Sequence, residues 1–441
     1  LGPLVDFGSV NDLLAGWPTA VGTVYAFQDA NVDNARGLEQ WLAMGQSASI
    51  AEFKDALKQV GIPWVNSIAA DRDGTAFYGD ISVVPRVLNE KRDQCIAGIV
   101  PPLLTDFGLT TLLGNTSECA LGQDSDVETA GIFGFDSLPS LTTTRYAANS
   151  NDSYWLSNPE ELLAGFPKIV GREEVAQSLR TRLAFLQARE RLAGTDGLGD
   201  AKFTLENLQQ VMFGSRNYAA ELVLEDFVTL CEAQSDWSAY SSEPASVAEA
   251  CSLLSAWDGR HNLDSVGGHI FTEFWRIARG TPDLWVTPFD VADPVNTPNG
   301  LNTGDGTVAE ALKQALASGV QVLLDNNIVL NRPWGEIQFE ERDGERIGIH
   351  GGSDGMLFSI ITSNLVDGEG YSNIRHGNSY MQTVTWDESQ CPDAFALLSY
   401  SQSTDPASPY YADQTRLYSK KQWVDMAFCA EDVAAAQIGE A

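Results

Sequence analysis

The segment at residues 147–159, AANSNDSYWLSNP, concentrates side chains that can direct an N–H group at a reacting carbonyl. It contains three Asn, one Asp and three Ser around the aromatic pair Tyr154 and Trp155. An amide held against an apolar wall can stabilise the negative oxygen that forms when an acyl compound is hydrolysed. The same residue types also form Asx turns in ordinary surface loops, so the segment by itself leaves both interpretations open.

A second candidate for chemistry is GGSDG at residues 351–355, which matches the G-x-S-x-G pattern of serine hydrolases and would make Ser353 a nucleophile. That pattern needs a strand before it, a helix after it, and then an acid and a histidine. The strand-like run MLFSIITSN follows instead, and only Asp367 and His376 come soon afterwards. A glycine-rich turn between strands is the better interpretation.

Metal ligation is not indicated by the histidines or by the acidic turns. The four histidines show no H-E-x-x-H or similar spacing, and DRDG at residues 71–74 lacks the later ligands of a calcium loop. We therefore expect no metal and no cofactor. DRDG should form a hairpin turn, and His350 and His376 should lie in turns or in the core. The four histidines are His261, His269, His350 and His376.

The six cysteines form three couples that are local in the sequence. None has the C-x-x-C spacing of zinc or thioredoxin sites. An even count favours three disulfides and an oxidising compartment, with buried free thiols as the alternative, and the sequence leaves the pairing open. The cysteines are Cys95, Cys119, Cys231, Cys251, Cys391 and Cys429.

Composition indicates a large globular chain with an acidic surface. Of 441 residues, 44% are hydrophobic, and 27 Lys and Arg face 60 Asp and Glu, for a net charge of −33. Such a surface repels phosphate backbones and anionic lipid, so neither nucleic acid nor a membrane is an expected partner. No apolar run reaches the length of about 18 residues that a membrane helix needs. Because Leu1 is not an initiator Met and no signal peptide follows, we expect a processed or truncated chain.

The elements that must position these residues change in type along the chain. The first block, to about residue 60, is mostly helical after a short strand, and Ser49 with Glu52 predicts a capping box in SIAEFKDALKQVG. IPWVNSIAADRDGTAFYGDISVVP predicts a β-hairpin around residues 71–74. Residues 95–141 are loop-like, which indicates an excursion held by Cys95 and Cys119.

Helical patterns fill residues 159–334, and strands return over residues 335–441. The helical segments include PEELLAGF and REEVAQSLRTRLAFLQARERLAG, with N-caps expected at Thr204, Ser246 and Thr307. The last hundred residues contain strand patterns such as GEIQFEERDGERIGIH, MLFSIITSN and NSYMQTVTW. This order predicts an α+β fold whose sheet combines sequence-distant pieces, with parts at residues 1–158, 159–334 and 335–441.

Several long motifs resemble the large subunit of the penicillin acylase family, most of all its acyl-homoserine-lactone acylase and aculeacin A acylase branch. They are GIPWVNSIAADRDGTAFYGDISVVP, NSNDSYWLSNP, SLRTRLAFLQ, HGNSYMQTVTW and SQSTDPASPYYADQTRLYSKKQW. The resemblance runs from LGPLVDF at the first residue nearly to the last, and the motifs come in the same order.

This resemblance implies an N-terminal nucleophile hydrolase, an αββα sandwich with a large helical insertion. In that family an autocatalytic cut exposes a Ser whose hydroxyl attacks an amide carbonyl while its own α-amine serves as the base. Leu1 cannot perform this step, so the Ser is expected upstream of the chain. The expected partners are the small subunit and the upstream segment of the large subunit, both from the same precursor.

Five positions match residues to which the family gives roles. The second Asn of NSND, Asn151, would be the oxyanion-hole amide, with an Asx turn as the alternative. Arg180 in SLRTRL would steady the surroundings of the nucleophile; it could instead be an ordinary helix arginine, and its neighbour Arg182 makes the match ambiguous. Three further positions would line the acyl pocket, with ordinary core packing as the alternative. These are Trp41, Trp64 and Val65.

The sequence therefore predicts an amidohydrolase that releases a fatty or aromatic acid from a small N-acyl compound, such as an acyl-homoserine lactone, a lipopeptide or a penicillin. The cysteines and the family imply a periplasmic or secreted protein. Two alternatives remain: a noncatalytic or incomplete relative of the same fold, and a different serine hydrolase that uses Ser353.

Overall fold

The computed structural model describes residues 2–4, 24–96, 110–353, 356–386 and 391–439. The chain forms two compact units, Leu1–Val175 and Ala176–Ala441. The short strand expected near the start lies largely outside the described residues, as do Leu1 and the last two residues of GGSDG. The division at residues 158 and 334 stays a prediction.

The first unit begins with two short helices, α1 (Gly37–Gln46) and α2 (Ile50–Leu57). Ser49 caps α2 as predicted, because its hydroxyl accepts a hydrogen bond from the Glu52 amide at 3.2 Å. The Glu52 carboxylate in turn accepts from the amide of Ala48 at 2.8 Å. The Ser49 hydroxyl thereby satisfies one amide that the helix start leaves without an intrahelical partner, whereas Glu52 binds the amide one position before the cap, so the predicted capping box is shifted by one residue.

A three-stranded antiparallel sheet, ordered β1-β2-β3, forms the other half of the first unit. The predicted hairpin is confirmed: β1 (Ser67–Ala70) pairs with β2 (Ala76–Gly79). Asp71 closes its turn by accepting hydrogen bonds from the amides of Asp73 at 3.1 Å and Thr75 at 2.9 Å. Strand β3 (Ser140–Thr143) then pairs with β2 from the far side.

The excursion between the hairpin and β3 begins with helix α3 (Asn89–Cys95) and is joined to it by the disulfide Cys95–Cys119. The residues that follow pack inward and share a core with α2 and β2. Members of that core, all buried, are Ile50, Leu57, Val60, Phe77, Ile81, Val83, Val127, Ile132, Phe133, Phe135 and Leu138. The sheet and α2 therefore form one layered body, which supports the loop that follows β3.

The second unit is built from helices packed around a large aromatic and aliphatic core. Phe227 stacks on Phe274 with ring centres 4.0 Å apart, and Leu312 and Leu316 are fully buried in the same cluster. The helices are α4 (Leu179–Ala193), α5 (Leu205–Met212), α6 (Tyr218–Ala233), α7 (Pro244–Ala256), α8 (Gly268–Ala278), α9 (Gly306–Asp325) and α10 (Trp334–Ile337).

Helices α8 and α9 approach closely at Gly319. A Cβ atom at this position would lie 2.9 Å from the backbone carbon of Glu273 and 2.9 Å from the amide nitrogen of Phe274. Those atoms belong to the backbone of α8, so they cannot move aside as a flexible side chain could. The absence of a side chain at residue 319 therefore sets the distance between the two helices.

Of the three predicted helix caps, one is confirmed and two are wrong. Thr204 caps α5 as expected, since its hydroxyl accepts from the Asn207 amide at 3.2 Å. Ser246 is wrong as a cap, because Pro244 already starts α7 and leaves residue 246 inside the helix. Thr307 is also wrong: the Asp305 carboxylate caps α9 by accepting from the amide of Thr307 at 2.7 Å and that of Val308 at 3.2 Å.

The predicted helix in PEELLAGF, residues 159–166, is absent, and residues 172–178 are likewise not helical. The amide of Leu163 donates to the carbonyl of Trp155 at 3.2 Å, and those of Gly165 and Phe166 donate to the carboxylate of Glu173, each at 2.9 Å. These tertiary partners take the amides that a helix would have used.

Strands dominate the last hundred residues, as predicted, and every sheet in the described ranges stays within one unit. The expectation of a sheet assembled from both ends of the chain is therefore not met there. The sequence also missed the strand β9 (Gly370–Gly377), on which His376 is exposed, so the prediction of a turn or core position for His376 is wrong. The pairs and sheets are β4 (Trp285–Thr287) with β5 (Asn299–Leu301), β6 (Phe339–Arg342) with β7 (Glu345–Gly348), β8 (Ile361–Val366) with β9 (Gly370–Gly377), and β10 (Tyr380–Trp386) with β11 (Pro392–Leu398) and β12 (Val424–Asp425).

Two short helices, α11 (Asp413–Ser419) and α12 (Ala430–Ala436), complete the second unit. The disulfides Cys231–Cys251 and Cys391–Cys429 join α6 to α7 and the start of β11 to the residue before α12. All six cysteines are thus bonded within their sequence-local couples. No helix within the described ranges combines the length and the apolar character that crossing a membrane would need.

Three of the four histidines are fully buried in the second unit. His350 lies against the ring of Tyr418 at 4.3 Å, and its Nε2 is 3.0 Å from the Tyr418 carbonyl, which confirms a core histidine bound to backbone. Burial lowers the pKa of His261 to about 3, that of His269 to about 4 and that of His350 to about 3. These imidazoles are neutral in the folded protein.

We expect Gly319→Ala to lower the free energy of unfolding by about 1–3 kcal/mol, because the added methyl group forces α8 and α9 apart. The matched control is Gly306→Ala, at the exposed start of the same helix, where an added Cβ meets no atom within 4 Å. Its stability should change by about 0.5 kcal/mol or less. Urea unfolding of both variants measures the difference, and equal stabilities would contradict the close packing.

We expect stability to fall with acid over the window set by the buried histidines. Above pH 6.5 they are neutral in both states; below it the unfolded chain takes up protons that the folded chain refuses. Each such histidine then lowers the free energy of unfolding by about 1.4 kcal/mol for each pH unit, until the pH reaches the pKa of that histidine in the folded protein. His261→Gln should reduce the slope of unfolding free energy against pH between about pH 6 and 4, whereas His376→Gln, at the exposed histidine, should not. Equal slopes would refute this account.

Candidate functional site

The candidate oxyanion residue, Asn151, lies on a turn that Asn149 closes from both sides. The Asn149 side chain donates from Nδ2 to the Asp152 carbonyl at 3.0 Å and accepts at Oδ1 from the Asn151 amide at 2.7 Å. Asn151 has φ = 68°, in the left-handed region that asparagine tolerates better than most residues. The predicted Asx turn is therefore present, and it presents Asn151 in a defined backbone conformation.

The base of this loop is fixed by buried groups. The amide of Ala148 donates to the Ser157 carbonyl at 2.9 Å, and the buried Asn158 side chain donates to the carbonyl of Tyr146 at 3.0 Å. Tyr154 and Trp155 lie on a short 3-10 helix (Tyr154–Leu156) and are almost fully buried. The two aromatic rings anchor the loop to the first unit.

Strand β2 places further buried polar groups in the same unit. The Tyr78 hydroxyl donates to Oδ1 of Asn66 at 2.6 Å. Burial first, and then the charge of Asp80, raise the pKa of Tyr78, while the nearby Asn149 amide acts in the opposite direction. Burial also raises the pKa of Asp80, against a hydrogen bond from Ser82. The Tyr78 hydroxyl is thus a permanent donor beside the loop.

Asn151 itself is exposed in this chain. The described residues of the first unit therefore do not enclose it. An oxyanion donor is most effective where water is excluded, so such a role requires a substrate or another polypeptide to cover the loop.

The two candidate arginines occupy different environments on α4. Arg182 is fully buried: its Nε donates to the Val295 carbonyl at 2.7 Å, its guanidinium lies 5.2 Å from the centre of the Tyr218 ring, and burial lowers its pKa. Its side chain is committed to the interior of the second unit. Arg180, at the second position of α4, is only partly buried, and the role expected for it stays a prediction.

The expected acyl-pocket residues are exposed, so ordinary core packing is the wrong interpretation for them. Trp41, Trp64 and Val65 retain 58%, 78% and 37% of their accessible surface. Helix α1 has the reverse of the usual burial pattern, because its one buried residue is the polar Gln40. The Oε1 of Gln40 accepts from the amides of Gly61 at 2.5 Å and Ile62 at 3.2 Å.

An apolar face of α1 therefore points outward. Leu38 and Leu42, one turn apart and flanking Trp41, are 84% and 64% exposed. Arg36 holds the segment before Trp64 against the start of α1, because its guanidinium donates to the carbonyls of Gln59 and Val60, each at 3.0 Å. We call the surface of Leu38, Trp41, Leu42, Trp64 and Val65 the apolar face of the first unit.

Ser353 does not occupy a nucleophile elbow. Within the described residues, no helix follows Ser353 before β8. Gly351 has φ = 91°, and a Cβ atom added to it would lie 2.4 Å from the carbonyl oxygen of Ser359. Only glycine fits this close approach, which is a turn between strands as the sequence predicted. Ser353 retains 9% of its accessible surface.

The described residues offer little to a metal ion. One trio of potential ligands lies within reach of a common ion, Cys391, Cys429 and Asp432. Both cysteines are joined in a disulfide, so they supply no thiolate. The side chain of Asp71 in DRDG is used by the amides of its own turn.

No sequence pattern indicated one residue that holds the candidate site, Glu173. Its carboxylate accepts from the Tyr154 hydroxyl at 2.8 Å and from the amides of Gly165 and Phe166. These partners lie 7 to 19 positions away in the chain, so no local pattern could reveal them.

Comparison with known proteins identifies relatives of the whole chain. It is 43% identical over 416 residues to aculeacin-A acylase of Actinoplanes utahensis, a match that covers 94% of this chain and 52% of that protein. It is 33% identical over 439 residues to the acyl-homoserine lactone acylase PvdQ of Pseudomonas syringae pv. syringae, covering 98% and 54%. The chain thus spans about half the length of these relatives.

The fold is similar to that of a thermostable penicillin G acylase from Alcaligenes faecalis, with a TM-score of 0.53 over 97% of this chain and 76% of that one, at 15% identity. This likeness shows the α+β fold of the N-terminal nucleophile hydrolases. The family model for penicillin amidase matches residues 1–435. The chain therefore belongs to the penicillin amidase family.

Proposed function

We propose that this chain is part of an acylase that hydrolyses the linear amide of small N-acyl compounds. The observation that carries the proposal is the turn at residues 149–152, which holds Asn151 of the family motif in a left-handed conformation on an anchored loop. The two relatives above are named for acylase activity on aculeacin A and on acyl-homoserine lactones. Lipopeptides, acyl-homoserine lactones and penicillins are accordingly the substrate classes we infer.

In this reaction the Asn151 side chain donates an N–H to the oxygen that becomes negative when the amide carbonyl is attacked. Removing one such donor from other hydrolases costs about 2.7–4 kcal/mol of transition-state stabilisation. The nucleophile is an N-terminal Ser from a part of the protein that this chain does not contain. Its own amine takes the hydroxyl proton and later passes it to the leaving amine. Arg180 steadies the surroundings of that amine through its planar, permanently charged head.

The acyl part of the substrate is bound by Trp41, Trp64 and Val65. Their exposure supports this role, because large apolar side chains that remain accessible in one polypeptide are available to a ligand or a partner. Each methylene of an acyl chain that they remove from water contributes about 0.8 kcal/mol.

The partner polypeptides are a small subunit and an upstream segment of the large subunit, which correspond to the half of the relatives' length that this chain does not match. The exposed apolar side of helix α1 supports this proposal, since Leu38 and Leu42 present apolar surface that a partner would bury. The three disulfides support a periplasmic or secreted location, because such bonds persist in oxidising compartments.

The alternative in which Ser353 is the nucleophile is less well supported, because Ser353 is largely buried in a turn without the helix that a nucleophile elbow requires. A noncatalytic relative of the same fold remains the second alternative. The absence of a Ser at the cleavage point of the complete precursor would favour it.

We expect Asn151→Gly in the complete protein to lower kcat on N-acyl substrates about a hundredfold or more, because the oxyanion loses a donor. Glycine is the matched replacement, since it accepts φ = 68° without strain, whereas alanine would add about 1 kcal/mol of backbone strain. The measurement is steady-state hydrolysis together with thermal unfolding.

Ser353→Ala is the companion variant, and it should leave kcat and KM unchanged. If the protein hydrolyses N-acyl substrates but Asn151→Gly retains near-normal kcat, Asn151 does not have the proposed role. Loss of activity in Ser353→Ala alone would support the serine hydrolase alternative.

We expect Trp64→Ala to weaken the preference for long acyl chains. In a series of substrates of increasing length, kcat/KM can rise up to about fourfold for each buried methylene, the equivalent of about 0.8 kcal/mol. The variant should flatten this rise while short substrates react nearly as before. Val286→Ala, on an exposed strand of the second unit, is the control. An unchanged dependence on chain length would remove Trp64 from the acyl site.

A further inference from the structure

Glu173 joins two segments around the candidate oxyanion loop. Its Oε1 accepts from the hydroxyl of Tyr154 at 2.8 Å and from the amide of Phe166 at 2.9 Å, and its Oε2 accepts from the amide of Gly165 at 2.9 Å. One half-buried carboxylate thus binds three donors from two parts of the chain. Hydrogen bonds to a charged acceptor are roughly twice as strong as those between neutral groups.

Tyr154 is enclosed by the segment that Glu173 organises. Its ring meets that of Phe166 edge to face, with centres 5.3 Å apart, and a Cβ atom at Gly171 would lie 2.8 Å from the Tyr154 ring. Burial, followed by the hydrogen bond to Glu173 and its charge, raises the pKa of Tyr154. The hydroxyl therefore stays protonated and donates to the carboxylate.

The same segment also holds the residue before Tyr154. The Ser153 hydroxyl donates to the carbonyl of Arg172, next to Glu173, and accepts from the amide of Trp155. Ser153 and Tyr154 lie only two and three positions after Asn151, and their side chains bind residues 172 and 173. On the other side of Asn151, the Asn149 side chain closes the turn. The backbone of Asn151 is consequently held from both directions.

We propose that Glu173 is a positioning residue of the acylase, which fixes the place of the Asn151 amide by binding Tyr154 and the amides of Gly165 and Phe166. This inference rests on the proposed function. Residues 159–166 have a helix-like sequence, yet Glu173 binds two of their amides in a non-helical conformation. A displacement of about 1 Å at a reacting group can cost on the order of a hundredfold in rate, so the loop needs such a restraint.

The variants that test it are Glu173→Gln and Tyr154→Phe. Glutamine keeps the size of the side chain but offers one acceptor oxygen in place of two, whereas phenylalanine removes only the hydroxyl and keeps the ring against Phe166. Glu174→Gln is the matched control, because Glu174 is the adjacent, exposed carboxylate and its replacement makes the same change in charge. Each variant is made in the complete protein, alone and together with Asn151→Gly.

We expect Glu173→Gln to lower kcat about tenfold or more, with KM changed by about twofold at most and kcat normalised to the folded fraction. Tyr154→Phe should act in the same direction and serves as the milder variant if Glu173→Gln folds poorly. Glu174→Gln should behave as the wild type. In the Asn151→Gly background, Glu173→Gln should cause no further loss, because the residue that it positions is gone.

Independent losses in the double variant would overturn the inference and leave Glu173 with a structural role only. An unchanged kcat in Glu173→Gln would overturn it as well. Failure of the proposed function is distinguishable, since the wild type would then be inactive or Asn151→Gly would be fully active.

Hydrogen exchange tests, without an activity assay, whether Glu173 restrains the loop that carries Asn151. Peptides that cover residues 148–158 and 163–167 should exchange faster in Glu173→Gln than in Glu174→Gln, because the amides of Asn151, Gly165 and Phe166 lose protection. Equal exchange in the two variants would show that Glu173 does not hold the loop and would overturn the inference.

Discussion

The closure of the turn at residues 149–152 by the Asn149 side chain is the interaction on which the candidate site depends. The Asn149 side chain accepts from the backbone amide of Asn151 and donates to the carbonyl of Asp152, and Asn151 itself adopts φ = 68°. Few residue types accept this conformation, and asparagine brings with it a side-chain N–H that can serve an oxyanion. The Asx-turn and catalytic interpretations of NSND are therefore compatible: the turn is the means of presenting the amide.

The first unit is organised to keep that turn in place while leaving its surroundings open. Strand β2, Tyr154, Trp155 and Glu173 hold the loop from within, whereas Asn151 and the apolar face remain exposed. Helix α1 buries a glutamine and exposes Leu38, Trp41 and Leu42, and an exposed apolar patch of this kind is typical of an interaction site. The chain spans about half the length of its relatives, and under the proposed function the remaining part covers this surface.

The sequence predicted the elements whose determinants are local. The Ser49 cap, the hairpin at Asp71 and the sequence-local disulfides depend on residues a few or a few tens of positions apart, and all were found. It failed where distant groups compete, as in residues 159–166, whose amides bind Glu173 and the Trp155 carbonyl. The functional assignment of Asn151 came from resemblance, since residue types alone left a plain turn and an oxyanion donor both open. The exposure of Trp41 and Trp64 could not be inferred, because an amphipathic pattern does not say which face is covered.

The most direct test of the central claim is a crystal structure of the complete protein with a phosphonate or boronate analogue of an N-acyl substrate bound to its nucleophile. Our account predicts that Nδ2 of Asn151 lies about 2.7–3.1 Å from the anionic oxygen of the analogue, with the turn at residues 149–152 unchanged. An anionic oxygen bound by other donors, with Asn151 still facing solvent, would contradict it.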